Sequence, residues 1–274
     1  MNVLSRRSVL TGLAATATAG CAARPVRQTA RATARVPVPA PYPVAPPPPD
    51  RASLGLDAVI DISQHASVTD FRRVRQSNIL AVIHKASEGD FFADPACAAR
   101  RPQAEEAGLL WGTYHFGKGD SAGAQQAAFY LAASQPGPAT LLALDLELNE
   151  GDPSNSMSLE QAEAFVGAVA DATGRLPIVY VHPTWANGDP LPGSGASLGA
   201  RITPGSILAR CGLWVADYHD SPEVPLAWAA TGWRLWQYAG DGGGVPGVDR
   251  CDRNLFNGDA SALYRFWRTT SSLS

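Results

Sequence analysis

The chain has 274 residues, of which 45% are hydrophobic and 17% charged. That is enough apolar material for a substantial core and excludes an intrinsically disordered protein. The net charge of −3 hides an asymmetry: residues 1–50 carry six arginines against one acid, which leaves −8 on residues 51–274. An acidic domain repels phosphate backbones, so nucleic acid is excluded as the main partner. All seven tryptophans fall in this acidic part. No apolar run reaches the roughly 20 residues of a membrane-spanning helix.

The first 20 residues read as an export signal. Ser5-Arg6-Arg7-Ser8-Val9-Leu10 resembles a twin-arginine motif, and a mildly apolar stretch from Val9 to Ala19 follows. Sec export stays open, because Val9 and Thr11 stand where Phe and Lys are usual. Thr18-Ala19-Gly20-Cys21 resembles a bacterial lipoprotein box, which makes Cys21 the expected site of lipidation. Residues 21–52 read as a lipid-anchored linker. From Val36 to Asp50, eight of 15 residues are proline. Such a stretch prefers polyproline II and spans roughly 45 Å as a semi-rigid spacer. The expected location is outside the cytoplasm, on the periplasmic side of a membrane (the outer one where there are two).

Residues 53–274 read as one folded domain. Apolar runs fall at 57–62, 79–84, 109–116, 139–148, 177–182, 212–218 and 233–238. Helical stretches separate the early runs at about 67–77, 95–107, 121–134 and 158–172. Nearly all-apolar strands are buried on both faces, as in parallel sheets. The alternation predicts an α/β fold, an irregular (β/α) barrel. After residue 183 helical signals thin out and Gly/Pro loops take over, so the second half of the barrel is expected to be irregular.

The chemistry sits at the ends of these runs. The first run ends in Asp61, and the fourth carries Asp145 and Glu147. A charge inside an apolar strand is costly unless it is paired or functional. Two carboxylates at i, i+2 share one face of a strand, here the barrel axis or its mouth. Like charges and partial burial raise one pKa, so one carboxyl stays protonated while its neighbour ionises. That is the equipment for glycoside cleavage. Pairing of both acids with nearby arginines is the competing reading.

Seven segments in order resemble the family 25 glycoside hydrolases, the muramidase-type lysozymes. Val59-Ile60-Asp61-Ile62-Ser63 is similar to the family's opening GxDxS, with Val59 in place of Gly. His84-Lys85-Ala86-Ser87-Glu88-Gly89 resembles KATEG, and Gly112-Thr113-Tyr114-His115-Phe116 resembles GxYHF. Asp145-Leu146-Glu147 matches DxE, and Leu213-Trp214-Val215-Ala216-Asp217-Tyr218 resembles LWxAxY. Trp236-Gln237-Tyr238 matches WQY, and Asp252-Arg253-Asn254-Leu255-Phe256 falls on the closing DxNxF.

The resemblance implies an irregular (β/α) barrel with fewer than eight outer helices, and cleavage of the β-1,4 bond from N-acetylmuramic acid to N-acetylglucosamine in peptidoglycan. It implies Glu147 as general acid, with Asp145, Asp61 and Asp252 completing the catalytic set. Asp145 either orients the substrate's 2-acetamido group or stabilises the oxocarbenium-like transition state, and covalent and substrate-assisted routes both stay open. Tyr114, Tyr180, Trp214, Tyr218, Gln237, Tyr238 and Lys85 are the expected substrate-binding residues. His115 reads as a hydrogen-bonded core histidine, and Lys85 as a partner of Glu88 or of another barrel carboxylate.

Cys251 stands where the family usually has Val, and Gln64-His65 replaces its polar–aromatic pair. The Gly/Pro-rich insertion from Asp189 to Gly199 is expected to reshape one rim of the groove. Two other readings remain: an inactive peptidoglycan-binding lipoprotein, or a glycosidase of another N-acetylglucosamine polymer. Retention of all four carboxylates argues against the first. Gly195-Ala196-Ser197-Leu198-Gly199 fits the nucleophile elbow GxSxG but follows a proline-rich loop rather than a strand, so it carries no serine chemistry.

No CxxC or HxxxH pair exists, so neither metal nor cofactor is expected. With Cys21 lipidated, three cysteines remain, and spacing alone permits a Cys211–Cys251 bond. A monomer is expected, with peptidoglycan as partner and the membrane reached through the lipid.

Overall fold

A computed structural model describes residues 53–240 and 243–269. The expected export signal, Cys21 and the proline-rich linker lie outside the described residues. Eight strands close into a barrel. In chain order they are β1 (Leu56–Ile62), β2 (Ala81–Glu88), β4 (Leu110–Phe116), β5 (Leu141–Asp145), β6 (Ile178–Val181), β7 (Leu213–Ala216), β8 (Trp233–Ala239) and β9 (Asp252–Phe256). A two-residue strand, β3 (Phe92–Ala93), folds back antiparallel on the end of β2.

The seven expected runs are all strands, and neighbours from β1 through β8 run parallel. β9 is antiparallel to both β8 and β1 and closes the barrel. The four expected helices form as α1 (Phe71–Gln76), α2 (Cys97–Glu106), α3 (Gly123–Ser134) and α4 (Leu159–Thr173). A one-turn helix, α5 (Pro183–Ala186), follows β6, and α6 (Ala260–Thr269) follows β9. The fold is an irregular α/β barrel, as the run pattern predicts.

Strand alternation sorts the side chains into two cores. Ile60, Val82, Leu142, Val179, Val215 and Trp236 face outward and pack against the helices. Val59, Ala81, Ile83, Leu141, Ala143, Ile178, Trp214 and Leu235 face inward and fill the interior. Leu263 and Trp267 of α6 join the interior cluster and plug the base of the barrel. Trp267 Nε1 donates to the carbonyl of Trp111 at 2.9 Å. Its ring lies where Gly112 has no side chain: a Cβ there would sit 3.1 Å from Trp267.

α4 begins with a full capping box. Ser158 accepts from the Gln161 amide, and the Gln161 side chain accepts from the Ser158 amide. It ends at Gly174 with φ +67°, where a side chain would be strained. α3 packs closely on α4 at Gly123, whose absent Cβ leaves room for the Gln161 carbonyl. His115 faces this layer. It bonds Ser87 and Gln126 and stacks on Phe165 at 4.8 Å. Burial lowers its pKa to about 4, so it is a neutral core histidine. Cys97, Cys211 and Cys251 are all buried free thiols, so the Cys211–Cys251 bond that spacing permits is not formed.

Candidate active site

Inward alternation carries a set of polar residues to the mouth above the apolar interior. Asp61 lies two residues beyond Val59, Lys85 beyond Ile83, Tyr114 beyond Gly112 and Asp145 beyond Ala143. Tyr180 and Gln237 extend the inner rows of Ile178 and Leu235 in the same way. β9 runs the other way, so its first residue, Asp252, reaches the mouth. Asp252 is the cross-strand partner of Asp61.

Asp61 is buried and held by two side-chain amide groups. Gln237 Nε2 approaches its two oxygens at 3.1 and 3.2 Å, and Asn254 Nδ2 donates at 2.7 Å. Each donor is itself fixed. Tyr180 and Tyr218 hydroxyls both donate to Gln237 Oε1, at 2.9 and 2.7 Å. Trp214 Nε1 donates to Asn254 Oδ1 at 2.7 Å. The two amide oxygens therefore face donors and the two NH2 groups face the carboxylate, the only orientation that satisfies every partner. Burial, then the charge of Asp252, raises the Asp61 pKa well above the usual carboxylate range, against the lowering pull of Asn254 and Gln237.

Asp145 ends β5 and is buried. Desolvation first, then the charge of Glu147, pushes its pKa well up. Its Oδ1 is buried with no hydrogen-bond partner among the described residues. Glu147, two residues on, is half-buried, and its pKa is raised to about 7 by desolvation and then by Glu150. Tyr114 stands among all four acids: beyond its burial, Asp61, Asp145, Asp252 and Glu147 each push its ionisation upward. The structure thus gathers the four expected carboxylates at one end of one barrel, and no arginine among the described residues bridges Asp145 or Glu147.

Two cavities open there. One, of about 230 Å³, is lined by Asp61, Ser63, His65, Tyr114, Cys251 and Asp252. The other, of about 240 Å³, is lined by Glu147, Tyr180, His182, Trp185, Leu191 and Tyr218. Leu191 belongs to the Gly/Pro-rich insertion, which therefore forms one wall beside Glu147. Tyr218 is 56% exposed and presents its ring at that rim.

Three expected binding residues have other surroundings. Trp214 is 2% exposed and packs edge-on against Tyr180 and Tyr114, so it supports the site from below rather than offering a face to a sugar. Tyr238 lies on the outer side of β8. Its hydroxyl donates to Asp57 Oδ2 at 2.9 Å and its ring packs on Trp236. Lys85 pairs with Glu88 at 2.7 Å, as its competing reading had it. Lys118 meets the same carboxylate at 3.3 Å, and both ammonium groups lie over the Phe116 ring. These are the only two lysines in the chain. Against its desolvation, they hold Glu88 below its ordinary pKa. Asn254 received no role from sequence, although its i, i+2 spacing from Asp252 places both on one face.

A closed α/β barrel with four clustered carboxylates, three of them raised in pKa, and aromatic rims defines a glycoside hydrolase. The sequence profile of glycosyl hydrolases family 25 matches residues 60–248, and the chain belongs to that family. It is similar to Lysozyme M1 of Streptomyces globisporus, 28% identical over 77% of this chain and 71% of that protein. It is also similar to the N,O-diacetylmuramidase of Arthroderma benhamiae, 28% identical over 75% of this chain and 84% of that one. Among solved structures, the bacterial lysozyme from Streptomyces coelicolor superposes with a TM-score of 0.67 at 27% identity, covering 79% of this chain and 98% of that one.

Proposed function

We propose that this glycoside hydrolase cleaves the β-1,4 bond between N-acetylmuramic acid and N-acetylglucosamine in peptidoglycan. The observation that carries this reading is the Asp145–Glu147 pair. Glu147 keeps its proton up to about pH 7 and donates it to the leaving glycosidic oxygen. Asp145 ends β5 two residues before Glu147, where its carboxyl group would accept the N–H of a 2-acetamido group. Orienting that amide turns its oxygen toward the anomeric carbon and favours substrate assistance over a covalent enzyme intermediate. Asp61 and Asp252 face the same cavity, where the one negative charge this close pair can carry cheaply stabilises the oxocarbenium-like centre. The family and the similarity to proteins named lysozyme and N,O-diacetylmuramidase support this assignment.

Export through the first 20 residues and lipidation at Cys21 would hold the domain on a membrane, with the proline-rich spacer giving reach to the wall. The domain works as a monomer in this reading, since all four acids come from one chain.

The test is digestion of purified peptidoglycan by the protein, with Glu147→Gln as control. Borohydride reduction and mass spectrometry identify the new reducing ends. Reduced muramic acid from the wild type and none from the variant is the expected result. Reduced glucosamine would move the scissile bond. Intact glycan that still retains the protein would replace the enzyme with a binding lipoprotein.

A further inference from the structure

Beyond the four carboxylates, a third cavity of about 230 Å³ opens at the mouth. Ser63, Gln64, His65, Lys85, Glu88, Phe91, Phe92 and Asp94 line it. It shares Ser63 and His65 with the cavity that holds Asp61 and Asp252, so the two adjoin. Phe91 is its outer wall. At 61% exposed it is the most exposed large hydrophobic side chain among the described residues. A ring that open is costly in water unless something covers it.

The ring is held in place. Phe91 sits in the turn between β2 and β3, where Glu88 pairs with Phe92. Gly89 in that turn has φ +54°, and a Cβ on it would come within 2.7 Å of the Phe91 ring. Glycine therefore allows the ring to lie against the backbone. Asp90 is tied to α3 by Gln125. The floor is equally fixed: Asp94 accepts from the Gln64 amide at 2.8 Å, and Arg100 donates to the carbonyls of Ser63 and Ala66. An aromatic face over a polar floor of Ser, Gln, His and an ion pair suits a pyranose. Its C–H face stacks on the ring while its hydroxyls and amide meet the polar wall.

We propose that Phe91 is the platform of an additional saccharide subsite, which takes one further N-acetylhexosamine of the strand whose cleavage is proposed above. The chain-length preference of the enzyme then resides in the β2–β3 turn, away from the reacting bond. The inference rests on that reading for the identity of the ligand.

The test measures binding of peptide-free tetrasaccharide and hexasaccharide glycan fragments to the Glu147→Gln protein, which leaves them uncut. Hexasaccharide is expected to bind more tightly. Phe91→Ala is expected to remove roughly three- to tenfold of that advantage, and Phe91→Tyr to keep it. Equal affinity for the two lengths overturns the proposal, as does an advantage that survives in Phe91→Ala. An effect of Phe91→Ala seen only on peptide-bearing fragments also overturns it, because the occupant is then the stem peptide. Turnover of glycan by the protein with Glu147 intact is read separately. Turnover without a length advantage sinks the platform alone, and a length advantage without turnover sinks the muramidase alone.

Discussion

Asp61 and Asp252 sit directly opposite one another on β1 and β9, with both side chains on the inner face of the barrel. Two carboxylates so placed cannot both ionise cheaply, and the Gln237 and Asn254 amides both donate to Asp61. Replacing Asp252 by Asn removes the opposing charge, so the Asp61 midpoint should fall. A carbon-13 carboxyl titration of the two proteins reads this directly, and an unchanged Asp61 would show that burial alone sets its pKa.

Glu147 should set the alkaline limit of activity. With a pKa of about 7, its protonated fraction drops above neutrality and kcat/KM falls with it. Glu147→Gln should lower kcat by roughly 10²–10⁴-fold on natural substrate and abolish that limb. A pH–rate profile on solubilised peptidoglycan decides the matter.

The same group makes stability depend on pH in the opposite sense to a salt-bridged acid. Its folded pKa, about 7, lies above its unfolded value near the usual ~4.3. The folded state therefore binds the proton more tightly, and stability declines as pH rises between these two values. Glu147→Gln should melt above the wild type at pH 8, and the gap should close by about pH 4. Calorimetric scans at the two pH values measure it.

Gln237 holds Asp61 through one end and Tyr180 through the other. Gln237→Leu strands the buried Tyr180 hydroxyl and removes one of the two amide donors to Asp61. The expected cost is about 1–3 kcal/mol in denaturant unfolding, with the Asp61 pKa moving further up. Turnover should fall while the barrel remains folded, as near-ultraviolet circular dichroism would report.

Trp267 is the plug of the barrel base. Trp267→Ala should cost about 3–5 kcal/mol by leaving a cavity against Gly112 and losing the bond to Trp111. Because the plug lies at the end opposite the carboxylates, KM measured on the folded fraction should be unchanged.

The barrel was legible because its seven parallel strands are apolar on both faces and separated by helices. β9 was not, although its residues carried a motif. It has Asp, Arg and Asn in its first three positions, which is not the pattern of a buried strand. The rule that places chemistry at C-terminal strand ends found Asp61, Asp145 and Glu147. It could not place Asp252, which reaches the mouth from the start of a reversed strand. Residue type suggested Trp214 and Tyr238 as sugar platforms, but it carries no information about depth. One lies beneath the mouth and the other on the far side of its strand. Phe91 went unremarked because a single aromatic in a turn has no periodicity to announce it.

The pairing of both lysines with Glu88 has a practical side. The only side-chain amines of the chain are sheltered in one ion cluster beside the groove. Amine-directed labels, cross-linkers and coupling resins therefore meet few accessible targets on the folded domain. Where they do react with a lysine, they modify the rim itself and release a carboxylate next to the site. A fluorescent tag or immobilised format for this enzyme is better introduced through an engineered cysteine on the helical side of the barrel, away from the mouth.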